Sequence, residues 1–413
     1  MESVKLRKTA RFLSGHQWVF SNELAQSPRG FAPGQLVEIH DMKDNFLGIG
    51  YINPMSLIAV RVLTRANEPV DAGFFKKRME AAISYRQRFL EKFSGKKAGE
   101  SSLRLVFSEA DYLPGLIVDK YADVVVIQLL TSGMEAVKSD ILEAVDSLLS
   151  PRAIVLKNNS RIRALEGLSL YKEIAKGDIT PLPVIEEDGV LFEIDPLGGQ
   201  KTGFFLDQRE NRLLLKALAS TGAMPGKNHP GSVGHHGLGL DLFCYAGGWG
   251  MHLAHAGAEK VIMVDESESA LARAGRNAEL NGLSGRIEPV RADVFAFLKN
   301  EFSTAGDETR YDFIVLDPPA FVKSAKKLKE AIKAYTLLNG QCMRLLKPGG
   351  ILATSSCSYH LGREAFVEML RMAARTAGRN VKIIEQRFQG RDHPVLLSMP
   401  ETQYLKCAFL TAD

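Results

Sequence analysis

A glycine-rich turn beside an acidic residue is the first feature of this sequence with the chemistry of a ligand site. Asp241 belongs to a short apolar run over residues 238–243, and Gly247, Gly248 and Gly250 follow it. Glycine has no Cβ atom, so a ligand can approach the backbone closely at these positions. We predict that the run forms a strand, that a helix starts at Gly250, and that the turn between them binds a cofactor.

Two further acidic residues follow short apolar runs downstream. Asp265 ends residues 260–265, where a carboxylate can accept hydrogen bonds from both ribose hydroxyls of an adenosine. Asp293 follows the next run and is placed to accept a hydrogen bond from the adenine amine. Each acid could instead cap a helix, but three at successive strand ends favour a ligand. Because the turn lacks the G-x-G-x-x-G spacing that binds a pyrophosphate, we predict S-adenosyl-L-methionine rather than a dinucleotide.

The segment Asp317-Pro318-Pro319 follows another predicted strand, residues 311–316. The two prolines fix their own backbone angles and so stiffen the turn. A stiff turn at this edge would hold Asp317 beside the methyl group of the cofactor, where a base or an amine would dock. The alternative is an ordinary turn in which the aspartate bonds only to its own backbone. The acids upstream favour the first interpretation.

Strands and helices alternate from Val184 onward, which is typical of a doubly wound α/β sheet. We predict three domains: a β-rich domain over residues 1–70, a central α+β domain over 71–183 and an α/β domain over 184–413. Within the central domain, helices are predicted over residues 73–93 and 134–149. The first helix has a charged side that carries Lys76, Lys77, Arg78, Arg86 and Arg88.

The composition argues against several classes of protein. The net charge is only +4, from 52 basic and 48 acidic side chains, which does not by itself indicate nucleic-acid binding. The four cysteines form no C-x-x-C pair, which argues against a disulfide framework and a zinc site. We find no secretory signal and no stretch of about 20 apolar residues, so we expect a cytoplasmic protein that does not span a membrane.

Taken together, the sequence resembles the bacterial and archaeal methyltransferases that modify C5 of cytosine in large-subunit ribosomal RNA and carry an N-terminal PUA domain. The resemblance covers nearly the whole chain, except for an unusual Gly/His-rich insertion over residues 221–239. It implies a PUA domain, a central domain and a class I (Rossmann-like) methyltransferase domain. Besides the glycine turn and Asp317-Pro318-Pro319, it is carried by GHQWVF at 15–20, EADYLPGLIVD at 109–119, KTGFFLDQREN at 201–211, SSCS at 355–358 and DHPV at 392–395.

Methylation of cytosine at C5 requires a reactive cysteine, because a thiolate must first add to C6 before C5 becomes nucleophilic. Cys357 follows a predicted strand and should lie at the same sheet edge as Asp317. We predict that Cys357 is the nucleophile and that Asp317 positions the cytosine amine or assists proton removal. Cys244 lies inside the glycine turn, where we interpret it as a small packing residue. Cys342 lies in a predicted helix and Cys407 in a predicted strand, and we expect both in the core.

A run of lysines follows Asp317-Pro318-Pro319. We predict that it contacts RNA phosphates and that Phe321 stacks on an extruded base, the alternative being a solvated surface. The expected partner is large-subunit ribosomal RNA, and whether the chain forms a homodimer stays open. The predicted RNA contacts are Phe321, Lys323, Lys326, Lys327 and Lys329. The predicted cofactor contacts are Asp207, Asp241, Phe243, Tyr245, Gly247, Gly248, Asp265, Asp293, Asp317 and Pro318.

Three other functions compete with this prediction. The chain could methylate guanine N7 or an exocyclic amine, in which case Cys357 would be dispensable. It could be an inactive RNA-binding scaffold, although a site that no longer binds a cofactor would not need all four acids at 241, 265, 293 and 317. A nicotinamide-dependent oxidoreductase is disfavoured by Asp317-Pro318-Pro319 and by the missing phosphate fingerprint.

Overall fold

The structure is a computed structural model that describes residues 1–94, 102–220, 237–305, 309–321 and 327–413. The chain divides into two compact units. The first unit consists of Met1–Ile185, Ile194–Leu206 and Arg391–Thr402, and the second of Glu186–Glu193, Asp207–Gly390 and Gln403–Asp413. The division into three domains at residues 70 and 183 stays a prediction.

The N-terminal part of the first unit is the β-rich module that the sequence predicts. Its elements are β1 (Glu2–Leu6), α1 (Ala10–Leu13), β2 (Trp18–Val19), β3 (Gln35–Asp41), β4 (Phe46–Ile52) and β5 (Val60–Thr64). The strands pair in the order β1-β3-β4-β5-β2, and only β1 and β3 are parallel. Gly48 and Gly50 allow close packing in this sheet, because a Cβ on either would lie 2.4 Å from a carbonyl oxygen of β5.

A second five-stranded sheet follows within the same unit. Its elements are α2 (Ala72–Ser94), β6 (Leu103–Phe107), β7 (Leu116–Tyr121), β8 (Val124–Leu129), α3 (Ser132–Ala136), α4 (Lys138–Leu149), β9 (Ala153–Asn158), α5 (Ile162–Leu165) and β10 (Tyr171–Gly177). The strand order is β10-β9-β8-β7-β6. The single helix predicted over residues 134–149 is wrong at its start, because Val137 leaves the helical conformation at φ −106° and ψ 24° and separates α3 from α4.

Arg86 corrects the prediction of a charged outer side for α2. Its side chain is fully buried, and its guanidinium donates to both carboxylate oxygens of Asp111. It also donates to the carbonyl oxygens of Arg104 and Asp392, each at 2.9 Å. A buried guanidinium is tolerated when its donors are paired in this way. Arg86 therefore has a structural role within the first unit.

The second unit is built on a seven-stranded sheet. Its strands are β13 (Leu238–Leu242), β14 (Lys260–Asp265), β15 (Ile287–Arg291), β16 (Tyr311–Leu316), β17 (Leu346–Ser356), β18 (Val381–Arg387) and β19 (Lys406–Ala412), after a hairpin of β11 (Val184–Glu187) and β12 (Val190–Glu193). Its helices are α6 (Arg209–Ser220), α7 (Gly248–His255), α8 (Glu268–Leu280), α9 (Val294–Ala305), α10 (Leu328–Leu345) and α11 (Arg363–Ala377). Of the predicted strands, 260–265 and 311–316 are confirmed.

The order of this sheet determines where a ligand would bind. The strands follow the order β15-β14-β13-β16-β17-β19-β18, with β15 to β17 parallel and β19 antiparallel to both of its neighbours. The chain first runs outward from β13 to β15 and then returns to β16 on the other side of β13. In doubly wound sheets, ligands bind at the carboxyl ends of the strands at such a switch point. The fold confirms the predicted Rossmann-like α/β class.

Across the described part of the chain, we find no helix with the length and apolarity needed to cross a membrane.

Candidate active site

The turn between β13 and α7 has an unusual backbone. Phe243, Tyr245 and Gly247 all have positive φ angles, of 61°, 51° and 81°. This conformation costs a non-glycine residue about 1–3 kcal/mol and persists only where surrounding contacts hold it. Here the backbone N–H of Tyr245 donates to Asp265 Oδ2 at 2.9 Å, which ties the turn to the end of β14. The turn is therefore fixed by the protein at the switch point.

Gly250 packs against the protein rather than opening the turn to a ligand. A Cβ at this position would lie 2.3 Å from Cε of Met263 on β14 and 3.1 Å from Asp241 Oδ2. Its N–H donates to Asp241 Oδ2 at 2.8 Å. The helix also starts at Gly248, two residues before the predicted start. The prediction for Gly250 is thus corrected: its glycine lets α7 pack closely on the sheet.

Asp265 and Asp293 lie at the carboxyl ends of β14 and β15, as predicted. The Asp265 carboxylate accepts hydrogen bonds from the N–H groups of Tyr245 and Ser267, both at 2.9 Å. Asp293 is exposed and caps α9, because its Oδ1 accepts the N–H of Ala296 at 2.8 Å. A carboxylate oxygen can accept a second hydrogen bond, so each fixed carboxylate can still bind a hydroxyl or an amine.

Asp241 is buried in a different environment, beneath the turn. It is completely shielded from solvent. Burial raises the pKa of Asp241 to about 8, and the carboxylates of Asp317 and Asp265 add to the rise, while the hydrogen bond from Gly250 opposes it. Within the described residues, no donor bonds to its Oδ1. A buried acceptor left in this state costs free energy until a donor or a cation binds it.

These features fit S-adenosyl-L-methionine. Asp265 and Asp293 match the ribose and adenine of the cofactor in chemistry and in order along adjacent strands. Asp241 Oδ1 is a buried acceptor without a donor among the described residues, and a cationic group of the donor bound beside it would favour the ionised form of Asp241. The residues therefore supply acceptors for hydroxyl, amine and cationic groups from the ends of three neighbouring strands.

Asp317 is held by three side chains from three different elements. Gln208 Nε2 and Trp249 Nε1 each donate to its Oδ2 at 3.1 Å. The hydroxyl of Ser355 on β17 donates to its Oδ1. The following Pro318 is buried. Asp317 is thus an oriented hydrogen-bond acceptor at the end of β16, next to the turn after β13.

The side chains that orient Asp317 were not predicted from the sequence. Gln208 is almost fully buried, and its amide also donates to Ser355 Oγ at 3.1 Å. Asn211 in turn donates to Gln208 Oε1 at 2.7 Å and so selects the orientation of the amide. Gln208 lies in the segment 201–211 that carries the family resemblance, and Trp249 lies in the glycine turn. Those two motifs were the available signals, but neither reveals the contact with Asp317.

Cys357 follows β17 and is the only cysteine of the four that is not buried. Burial raises the pKa of Cys244, Cys342 and Cys407 above the ordinary value for a thiol. These three thiols are therefore protonated, as expected for core residues. β16 and β17 are parallel neighbours, and Leu316 pairs with Thr354. Asp317 directly follows β16 and Cys357 directly follows β17, so both residues lie at the carboxyl ends of neighbouring strands.

The turn around Cys357 is anchored to α10. Ser356 Oγ donates to the hydroxyl of Tyr335 at 3.0 Å, and a hydrogen bond of 3.0 Å joins that hydroxyl to Ser358 Oγ. The hydroxyl groups of Ser356 and Ser358 are thus turned toward a buried tyrosine. This arrangement fixes the backbone on both sides of Cys357.

The predicted RNA contacts fall partly outside the described residues. Phe321 is half-buried among Phe243, Phe295 and Tyr335, at ring-centroid distances of 6.3, 6.2 and 4.8 Å. Lys327 and Lys329 are exposed, whereas Lys323, Lys326 and residues 221–236 of the Gly/His-rich insertion are outside the described part. A cavity of about 450 Å³ at this place is lined by Pro319, Ala320, Phe321, Lys327, Glu330 and Ala331. Base stacking by Phe321 stays a prediction.

Asp207, a predicted cofactor contact, is buried just before α6. Its Oδ2 accepts the hydroxyl of Tyr404 at 2.6 Å, and its carbonyl oxygen accepts the N–H of Gly390 at 2.9 Å. These contacts connect α6 to the C-terminal part of the second unit. The cofactor role of Asp207 stays a prediction.

Comparison with protein families gives two matches. Residues 3–65 match the PUA-like domain family. Residues 236–398 match a family described as RNA cap guanine-N2 methyltransferase.

Comparison with individual proteins extends the similarity to nearly the whole chain. The chain is 36% identical over 397 residues to ribosomal RNA large subunit methyltransferase I of Cronobacter sakazakii, covering 95% of this chain and 94% of that protein. It is 35% identical over 396 residues to the protein of the same name from Pseudoalteromonas atlantica, with the same coverage. In fold, it is similar to a provisionally assigned SAM-dependent methyltransferase of Streptococcus mutans, with a TM-score of 0.80, 21% identity and full coverage of both chains.

Proposed function

This chain belongs to the ribosomal RNA large subunit methyltransferase I family, and from that premise we propose that it methylates C5 of a cytosine in large-subunit ribosomal RNA. The family membership makes it an S-adenosylmethionine-dependent RNA methyltransferase. The choice of C5 rests on one observation. Cys357 is the only cysteine that is not buried, and it follows the strand next to Asp317.

Cys357 would act as the nucleophile. Its thiolate adds to C6 of the cytosine, and the electron pair of the C5–C6 double bond makes C5 nucleophilic. When bound, S-adenosylmethionine supplies an electrophilic methyl group to C5. A base then removes the C5 proton, the double bond reforms and the bond between Cys357 and C6 breaks.

The acids at the switch point would hold the cofactor. Asp265 would accept hydrogen bonds from the ribose hydroxyls, and Asp293 would accept one from the adenine amine while it continues to cap α9. Asp241 would bind a cationic group of the donor. The positive φ angles of Phe243 and Tyr245 shape the turn that these groups surround.

Asp317 would bind the exocyclic amine of the target cytosine. Its carboxylate already accepts hydrogen bonds from Gln208, Trp249 and Ser355. These donors orient the carboxylate, and an oriented carboxylate is a suitable acceptor for an amine. We therefore assign Asp317 to positioning the target cytosine, rather than to removing the proton from C5.

The RNA would contact regions outside the pocket. A PUA-like domain over residues 3–65 supports binding of structured RNA. Exposed Lys327 lines the cavity beside Phe321, and exposed Lys329 follows in the first turn of α10. Within this proposal, residues 1–70 bind RNA and residues 184–413 carry out methyl transfer. Residues 71–183 connect these two domains. A ribosomal RNA substrate implies action in the cytoplasm.

A second candidate is methylation of an exocyclic amine. The match of residues 236–398 to an RNA cap guanine-N2 methyltransferase family favours it, and Asp317 could bind such an amine directly. In this reaction the amine attacks the methyl group itself, so no enzyme thiolate takes part.

Release of tritium distinguishes the two reactions. Large-subunit ribosomal RNA from cells that lack this protein would be prepared with tritium at C5 of its cytosines and incubated with enzyme and S-adenosylmethionine. Methylation at C5 expels the C5 hydrogen, so tritium should enter water in a one-to-one ratio with the methyl groups transferred.

The Cys357→Ser variant is the matched control, because it keeps a side chain of similar size without the thiolate. It should bind the cofactor and release no tritium. Methyl transfer without tritium release would reject C5 and favour the amine. Absence of any methyl transfer to this RNA would reject the proposed substrate.

A further inference from the structure

Lys406 is a buried lysine beside the turn that carries Cys357. It starts β19, opposite Ser356 in the antiparallel register of β17 and β19. Only 5% of its surface is exposed. Its Nζ donates to the carbonyl oxygen of Ser358 at 2.7 Å and to that of Tyr404 at 2.8 Å. Lys406 therefore pairs with the residue before Cys357 and donates a hydrogen bond to the carbonyl oxygen of the residue after it.

The charge of Lys406 has no carboxylate partner among the described residues. Among these residues its ammonium bonds only to backbone carbonyl oxygens, and burial lowers the pKa of Lys406 to about 8. Cys357 counteracts this lowering. An ammonium buried without an opposite charge is destabilising. A feature with such a cost calls for a partner, and the thiol of Cys357 directly follows Ser356, which pairs with Lys406.

Other charged and titratable groups near this pair do not supply that partner. On α10, burial raises the pKa of Tyr335, so its hydroxyl stays neutral. At the end of β16, Asp317 would repel a thiolate, which increases the need for a cation. On β18, Arg387 forms ion pairs with Glu385 and Glu210.

The geometry points to Lys406 as the positioning residue whose ammonium stabilises the thiolate of Cys357. This inference rests on the proposed function, because it explains how the nucleophile is ionised. The thiol gives its proton to solvent and Lys406 keeps its own, so the pair forms without any further reactant. An adjacent cation is a general means of making a cysteine reactive near neutral pH. The two carbonyl contacts hold the ammonium in place.

Alkylation by iodoacetamide tests this without RNA or methyl donor. The reagent forms a sulfur–carbon bond with the thiolate and releases iodide, so its rate against pH follows ionisation of Cys357. Peptide mass spectrometry separates Cys357 from the three buried thiols. The full chain would be compared with Lys406→Met, Lys406→Gln and Lys406→Arg. Lys382→Met is the matched control, because it removes an exposed lysine at the other end of the β18–β19 ladder.

Loss of the charge should raise the midpoint of the alkylation profile by about one pH unit or more. Lys406→Met and Lys406→Gln should therefore react about tenfold more slowly at pH 7, while Lys406→Arg and Lys382→Met stay near the wild-type profile. In methyl transfer, Lys406→Gln should lower kcat with little change in KM for RNA. Cofactor binding shows that each variant is folded.

Two outcomes would overturn the inference. If Lys406→Gln has the wild-type profile, the lysine serves only to bond the two carbonyl groups. If Lys406→Arg shifts as far as Lys406→Gln, the positive charge is not the cause. Failure of the proposed function would look different from failure of this inference. It would appear as methyl transfer by a Cys357 variant, whatever the alkylation profile.

Discussion

Replacing Asp241 with asparagine should stabilise the ligand-free protein at pH 8 and at the same time weaken cofactor binding. The two effects have one cause. Asp241 is fully buried, its pKa is raised to about 8, and its Oδ1 has no donor among the described residues. Asparagine has the same shape, stays neutral, and can still accept the N–H of Gly250.

The size and the sign follow from linkage between folding and protonation. The pKa of Asp241 is about 8 in the folded protein and near its ordinary 3.8 in the unfolded chain. Between these values the folded state keeps a proton that the unfolded state releases, so stability falls as the pH rises. The slope is about 1.4 kcal/mol per pH unit. From pH 5 to pH 8, wild type should lose about 4 kcal/mol relative to Asp241→Asn.

Urea unfolding at several pH values, followed by tryptophan fluorescence, measures this difference. Trp249 reports on the second unit because it lies on α7, at the proposed site. Effects of all other titrating groups are common to both proteins and cancel in the difference. Asp293→Asn is the control, since it neutralises an exposed carboxylate at the same sheet edge and asparagine can still cap α9. A stability difference that does not change with pH would refute this account of Asp241.

Calorimetry should show the opposite effect on binding. Asparagine cannot ionise when a cationic ligand binds beside it, so Asp241→Asn should weaken S-adenosylmethionine binding by about tenfold or more. Unchanged affinity would mean that Asp241 Oδ1 does not face the donor.

Three further predictions concern the remaining parts of the site. Asp265→Ala should weaken S-adenosylmethionine binding by about 1.5–3 kcal/mol in calorimetry, because charge-assisted hydrogen bonds to the ribose are lost. Gln208→Leu removes an amide donor from Asp317 and should lower kcat by about tenfold or more in a methyl-transfer assay, with cofactor affinity nearly unchanged. Replacing Lys327 and Lys329 together with alanine should weaken RNA binding and reduce its salt slope by about 1–2 in a titration over salt concentration.

Each of these has a control within the chain. Glu268→Ala removes an exposed carboxylate close to Asp265 and should leave cofactor affinity unchanged. Lys260 is the first residue of β14 and Lys382 the second of β18, so both lie at the amino edge of the sheet, opposite the site. Their double alanine variant should keep the RNA salt slope. Equal effects from site and control variants would contradict the assignments, as would a normal kcat in Gln208→Leu.

The strand ends of the second unit could be predicted because each strand is an apolar run that an acidic residue or a proline ends. Residues 260–265 are an apolar run that ends in Asp265, and residues 311–316 are stopped by Pro318 and Pro319. Parallel strands bring their carboxyl ends to one edge, so Asp265 and Asp317 could be placed together without knowledge of any contact. The same reasoning placed Cys357.

The contacts that orient these residues could not be predicted, because they join distant parts of the chain. Gln208 and Trp249 lie 109 and 68 residues from Asp317, to which both donate. No periodicity in the sequence encodes such a pair. Lys406 was absent from the sequence analysis for the same reason, since its importance depends on burial beside Cys357.

Two predictions were wrong because the outcome depends on a residue from another element. Arg86 has the helical spacing of an exposed residue, but the carboxylate of Asp111 allows it to be buried. Gly250 has the spacing of a ligand-binding glycine, but Met263 occupies the space that its missing Cβ leaves. In both cases the outcome depends on a residue from another element.

Trapping of RNA that contains 5-fluorocytosine at the target position tests the central claim most directly. Fluorine cannot leave C5 as a proton does, so a covalent bond between Cys357 and C6 should persist after methyl transfer. We predict that wild type forms an enzyme–RNA complex that survives denaturation, that this requires S-adenosylmethionine, and that a tryptic peptide containing Cys357 carries the RNA. Cys357→Ala should bind RNA and form no such complex. If Cys357→Ala methylates unmodified RNA at the normal rate, the cysteine mechanism is contradicted and direct attack by an exocyclic amine becomes the better account.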